Sequence, residues 1–321
     1  MKKNKRNSNL ELLRIISMFL IVAHHYSLHG FIKIETYNVD YNKCLIDILS
    51  LGGKIGVACF ILISGYFMLD NKLNMKKIWK IMGEVYFYSY GMLVLFFTVL
   101  EPVNEMNAMS IITSILPITY SAYWFITDYI ILMIISPYLN KFIYNLNKTE
   151  LRNFIICMVF LWSIYKTITT AELGYNDLGW FIVLYCIAAY IKLYVEFIIK
   201  KSKKNKIILL TSILIFIILT IGCNILTKNT GNIFYLKYIR IISSLNSILT
   251  TILSTTMFLY FLKKEEKYNS IINKISKYTL GIYLIHDNIL FRPYLWNNIL
   301  KNEQFYASNF LIIHAIISIV L

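Results

Sequence analysis

Arg14 and His25 stand eleven residues apart in the first apolar run of this 321-residue chain. At about 100° per residue, eleven residues make three turns plus about 20°, so both side chains leave one helix face, about 16 Å apart along the axis. Arginine holds anions with a planar, permanently charged fork. Histidine takes up and returns a proton near neutral pH. Together they read as a site that holds an anionic substrate at one end and moves a proton at the other. Each also has an ordinary reading when taken alone. Arg14 can snorkel to headgroups and His25 can sit at an interface. His24 points about 80° away from Arg14 and is the weaker candidate.

The elements that position these residues are set by composition. Hydrophobic residues make up 58% of the chain and charged residues 15%. A soluble domain has about 25% charged residues, so this chain cannot coat a soluble surface of its own. Glycine and proline are sparse, which excludes collagen-like and disordered classes. The expected fold is all-α: a polytopic transmembrane helical bundle forming one membrane-embedded domain over 1–321. Apolar runs lie near 10–28, 51–69, 81–100, 120–139, 153–170, 178–199, 207–226, 239–262, 278–294 and 307–321, giving about ten spans. The stretch 106–119 reads as a loop or a short re-entrant piece. The first run contains Glu11 and Arg14 and has no small-residue cleavage site, so it reads as a retained span. The last run stops at Leu321 after 15 residues, short for about 30 Å of hydrocarbon, and reads as a truncated span.

The net charge of +15 does not indicate nucleic acid, because the charges lie in short clusters between apolar runs. Segments 1–9, 70–80, 140–152, 200–206 and 263–277 hold 21 Lys and Arg, against 5 in 29–50, 101–119, 171–177, 227–238 and 295–306. That bias predicts a cytoplasmic amino end in a cell-membrane protein. Cys44, Cys59, Cys157, Cys186 and Cys223 have no metal-ligand spacing, so neither a disulfide framework nor a metal site is expected. There is no internal repeat of the kind many transporters carry.

Four segments carry a resemblance. Leu10-Glu11-Leu12-Leu13-Arg14, continuing to His24-His25-Tyr26, is similar to the opening motif of the acyltransferase-3 family of membrane acyltransferases, in which an Arg is followed after ten residues by a His. Gly56 to Tyr66, ending in Ser64-Gly65-Tyr66, resembles the family's second-span motif. Tyr123-Trp124-Phe125-Ile126, running to Ser136-Pro137, resembles its Trp-Phe segment. Tyr278 to His286, with Tyr283-Leu284-Ile285-His286, resembles its late Tyr-Leu-x-His motif. The segments occur in family order across 10–286.

The resemblance implies an enzyme that takes an acyl group, acetyl in the usual case, from cytoplasmic acyl-CoA. The acceptor would be a hydroxyl of a cell-surface or lipid-linked carbohydrate. It implies His25 as the catalytic residue and Arg14 as a holder of CoA, with acetyl-CoA or another acyl-CoA as donor substrate and no permanently bound cofactor. His25 then acts either as general base or as a transient acyl carrier. The expected partners are acyl-CoA, a carbohydrate or cell-envelope glycan, and the bilayer, with no nucleic acid. Many relatives carry two arginines in the first cytoplasmic loop. This chain has Lys72, Lys76, Lys77 and Lys80 there, with Lys76 and Lys77 the candidates for phosphate. Their ordinary reading is positive-inside charge.

Other polar residues have both readings. Ser64 and Tyr66 are site lining or small-residue packing. Trp124 is site lining or an interfacial anchor. Asp128, four residues on, shares its face. Tyr283 and His286 enter through the late motif. Asp287, adjacent to His286, is expected to face elsewhere and not to form a dyad with it. Glu84 and Lys166 are expected to snorkel, and Arg292 to anchor a helix end. The competing function is a transporter or flippase of a glycan or amphiphile, which would also place charges inside spans.

Overall fold

The computed structural model describes residues 7–32, 34, 38–99, 108–195 and 205–321. The basic clusters at 1–6 and 200–204, Lys33, the segment 100–107 and the end of the run 178–199 lie outside the described residues. The described residues are helical and contain no strand. The principal helices are α1 (Ser8–His29), α2 (Tyr41–Ser50), α3 (Gly52–Met68), α4 (Met75–Thr98), α5 (Ala108–Ile115), α6 (Trp124–Asn145), α7 (Lys148–Thr169), α8 (Asp177–Tyr194), α9 (Asn205–Thr230), α10 (Phe234–Ile242), α11 (Ile248–Leu262), α12 (Ser270–Ile275), α13 (Thr279–His286) and α14 (Leu311–Val320).

Seven stretches among the described residues are long and apolar enough to cross a membrane: α1, α2 with α3, α4, α6, α7, α8 and α9. The remaining three apolar runs do not form single long helices. The run 239–262 divides between α10 and α11, because Ser247 caps α11 by accepting from Thr250 N. The run 278–294 is broken after His286, where Asn288 Oδ1 accepts from the backbone N–H groups of Leu290 and Phe291. The run 307–321 yields the ten residues of α14. Helices also form in 29–50, expected to be a loop, and in 106–119, expected to be a loop or a short re-entrant piece. α2 occupies 41–50, capped by Asp40, and α5 occupies 108–115, with Ser89 of α4 donating to Ser114 O at 2.7 Å.

The centre of the bundle is α1 against α3, which in turn packs on α8 and α11. Leu13, Ala58, Cys59, Ile61 and Leu62 are fully buried there. The close approach depends on glycine. A Cβ on Gly56 would lie 2.4 Å from Ser17 O, and one on Gly53 would lie 2.4 Å from the His24 ring. Small residues let helix backbones meet where lipid supplies no hydrophobic drive. The consequence is that residues near the start of α3 face the His25 end of α1, while Ser64 faces the Arg14 end. α13 and α14 pack on α1 from its other sides.

Candidate active site

Asn7 starts α1 by accepting from Asn9 N, which fixes the register that carries Arg14, Met18 and His25. The common face expected for Arg14 and His25 is what the fold uses. Arg14, Ser64, Lys77 and Tyr129 line two adjacent cavities of about 260 and 210 Å³. The larger one also contains Met18, Phe125 and Tyr283. Those three residues continue into a neck of about 30 Å³, lined in addition by His24, His25, Gly53, Lys54 and Trp124. His24 and Lys54 then line a further cavity of about 290 Å³ with Lys43, Asp47, Arg240 and Ser243. Adjacent cavities thus share walls from the Arg14 end to beyond His25. The neck between them has room for about one water molecule.

At the Arg14 end, Arg14 Nη1 lies 2.9 Å from Glu11 Oε1. Glu11 is buried, and its Oε2 accepts from Ser276 Oγ at 2.5 Å. This carboxylate aims the guanidinium and leaves its other edge to the cavity. Lys77 reaches the same cavity because Asn74 caps α4 by accepting from Lys77 N. Lys72 and Lys277 stand on the same walls, so cations outnumber the one carboxylate there, Glu84. Glu84 is half-buried and lies 3.8 Å from Lys80 Nζ.

At the other end, His25 is 9% exposed and its Nδ1 lies 2.9 Å from His286 Nε2. His286 Nδ1 lies 2.6 Å from Ile282 O. A carbonyl only accepts, so His286 carries its proton on Nδ1 and offers Nε2 as acceptor. His25 must therefore donate from Nδ1. With both rings neutral, the lone pair of His25 is on Nε2, the state a general base or nucleophile needs. Asp287 Oδ1 lies 3.7 Å from His25 Nδ1 and 3.0 Å from Arg292 Nη1. A carboxylate there stabilises the imidazolium that forms when Nε2 takes a proton, and Arg292 balances it when Nε2 does not.

His286 and Asp287 meet through His25 and not as a dyad with each other: His286 Nδ1 is turned to Ile282 O and Asp287 to Arg292. Both meet His25, because α13 ends at His286 and helical angles no longer apply beyond it. The turn is held from behind. Tyr123, 1% exposed, donates to Leu284 O at 3.0 Å and accepts from Asn288 Nδ2 at 2.8 Å. Arg292 likewise binds Asp287 and is more than a helix anchor. His24 donates to Ser50 O across 2.6 Å, which ties up its Nδ1.

Of the other expected residues, Ser64, Trp124 and Tyr283 line the cavities. The Tyr283 hydroxyl is buried beside Asp287. Lys76 is exposed and lines none of these cavities, unlike Lys77. Asp128 is half-buried and lines none of them. Tyr66 sits apart from the cavities, its carbonyl accepting from Lys192 Nζ at 2.7 Å. Lys166 does not snorkel: it is buried, 2.5 Å from Glu172 and 3.0 Å from Asn246 Oδ1. Sequence reasoning missed Lys54, Glu11 as the partner of Arg14, and the Tyr123–Asn288 brace. The five cysteines are free thiols. His25, His29 and Asp287 place ligand atoms within 4.8 Å of one another, a grouping that spacing in the sequence does not reveal.

The family model described as "Acyltransferase domain" matches residues 7–321. The chain belongs to the acyltransferase-3 family, and it is a membrane acyltransferase. No curated protein and no solved structure matches it.

Proposed function

We propose that the protein transfers an acyl group, acetyl in the first instance, from cytoplasmic acyl-CoA to a hydroxyl of a cell-surface or lipid-linked carbohydrate. The observation that carries the reading is the free Nε2 of His25 at a narrow neck between a cationic cavity and a second polar one. CoA is an anion with a thioester at its far end. Arg14 and Lys77, with Lys72 and Lys277 beside them, hold its phosphates, and the thioester extends past Met18 towards His25. The acceptor enters the cavity beyond the neck and presents its hydroxyl to Nε2. Placing the amino end of the chain in the cytoplasm of a cell-membrane protein puts Arg14 on the side where CoA resides. The 21-to-5 distribution of Lys and Arg supports that orientation.

As general base, His25 takes the hydroxyl proton while the oxygen attacks the thioester carbon, then returns it to the departing sulfur. The His286 contact keeps Nε2 unprotonated before attack. The alternative route, attack by Nε2 itself to give an acyl-His, uses the same lone pair. The test is acyl transfer by His25→Ala protein, measured beside its acyl-CoA binding. Transfer is expected to vanish while binding persists.

A further inference from the structure

Lys54 is a buried-side cation that the account so far leaves without a task. It belongs to the first turn of α3 and lines both the neck and the cavity beyond it. Its Nζ sits 4.1 Å from the centroid of the Trp124 ring, another neck residue. Among the described residues no carboxylate or carbonyl takes its protons. The other lysines set into the bundle are paired: Lys43 with Asp47, Lys166 with Glu172, Lys192 with Asp70. Lys54 shares its cavity with Asp47, but it makes no direct ion pair, and an ammonium inside a span without a bonded acid marks function. A ring face attracts the cation weakly and leaves its N–H donors unused.

A second observation points the same way. α6 begins at Trp124, whose side chain lines the same neck, and has no side-chain cap, so the positive end of its dipole lies in the region of the neck. The neck therefore brings a base, His25, and the Lys54 ammonium onto the walls of one small cavity.

We propose that Lys54 is the electrostatic catalyst of the transfer, donating to the thioester carbonyl oxygen as it becomes an oxyanion. The proposal rests on the acyl-transfer reading above. The acceptor oxygen bonds to the thioester carbon, its proton passes to His25 Nε2, and the carbonyl π electrons move onto oxygen beside the ammonium. The oxyanion then collapses, the C–S bond breaks, and the sulfur leaves as thiolate and takes the proton from His25. The products are the ester and CoA-SH. Lys54 keeps its three protons throughout. Charge develops on that oxygen in the transition state, so a fixed cation there accelerates the step without tightening donor binding.

The test uses inside-out membrane vesicles carrying the full chain, labelled acetyl-CoA, and the envelope glycans of those membranes as acceptor. Base-labile acetyl esters are counted at saturating donor, and CoA binding is measured on the same vesicles. Lys54→Met keeps most of the side-chain length and removes the charge. It is expected to lower the saturated rate about 10²–10³-fold and to leave CoA affinity within about threefold. Lys54→Arg restores the charge and is expected to recover part of the rate. A Lys54→Met rate within threefold of wild type overturns the proposal, as does an Arg variant no better than Met. Parallel loss of CoA binding and rate in Lys54→Met also overturns it, because the lysine would then be holding the fold or the donor. If wild-type vesicles bind no CoA and form no esters, the acyl-transfer reading fails first. A fully active Lys54→Met protein leaves that reading standing.

Discussion

His286 Nε2 accepts the Nδ1–H of His25 across 2.9 Å, and this contact decides which nitrogen of His25 is free to react. The acceptor role of His286 is fixed one step further back, by its own N–H to Ile282 O at 2.6 Å. A helix carbonyl thus sets the tautomer of two rings in series.

His286→Ala removes that control and lets His25 place its proton on either nitrogen. Acyl transfer is expected to fall about 10²-fold or more, as it does when a catalytic histidine loses its orienting partner. His286→Gln can still accept from His25 through its amide oxygen and is expected to retain more activity than His286→Ala. Equal rates for the two variants would mean that the contact does not set the tautomer.

For Arg14, substitution by Lys keeps the charge and loses the fork. The Glu11 contact uses one edge of the guanidinium, and an ammonium cannot serve Glu11 and a phosphate with the same geometry. Acyl-CoA affinity of Arg14→Lys is expected to drop about tenfold, the worth of one charge-assisted contact. Unchanged affinity by equilibrium binding would return Arg14 to a snorkelling role.

Gly56→Ala puts a methyl 2.4 Å from the Ser17 carbonyl oxygen. The α1–α3 pair must separate to admit it, which costs about 1–3 kcal/mol as overpacking does. Thermal unfolding in detergent is expected to shift down. Activity is expected to fall with it, because the separation widens the neck. Gly83→Ala, where nothing lies within 4 Å, is the matched control and is expected to change neither. A stable, active Gly56→Ala protein would show that the contact is not required.

The parts of this site that were legible in the sequence are local ones. Helical periodicity alone put Arg14 and His25 on one face, and ordered motifs pointed to Ser64, Trp124, Tyr283 and His286. What depended on helices meeting was not legible. Lys54 reads as one more charge near a span end until α3 brings it over Trp124. That His286 and Asp287 both reach His25 depends on α13 packing against α1, which the sequence does not display. Asp128 and Tyr66 share faces or motifs with site residues, yet the packing puts neither on the cavities. Lys76 and Lys77 are equivalent in the sequence, and the start of α4 selects Lys77. The span estimate counted apolar length and missed the breaks made by Ser247 and Asn288.

Orientation is tested from outside intact cells. Single cysteines placed in 29–50 and 227–238 are expected to react with an impermeant thiol reagent, and those in 200–206 and 263–277 are expected to be protected. The Lys and Arg distribution makes this prediction. Labelling of 263–277 from outside would put Arg14 on the side without CoA.

The central claim is that the Nε2 lone pair of His25 carries the transfer. It is tested by comparing His25→Ala with His24→Ala in the same membranes, reading acetyl ester formation and acyl-CoA binding together. His24 lines the same neck, but its Nδ1 is committed to Ser50 O at 2.6 Å. His25→Ala is expected to bind acyl-CoA with near wild-type affinity and form no detectable ester, a loss of at least about 10²-fold for a missing base, while His24→Ala keeps substantial activity. Ester formation by His25→Ala at a rate close to wild type would contradict the account, whatever His24→Ala does.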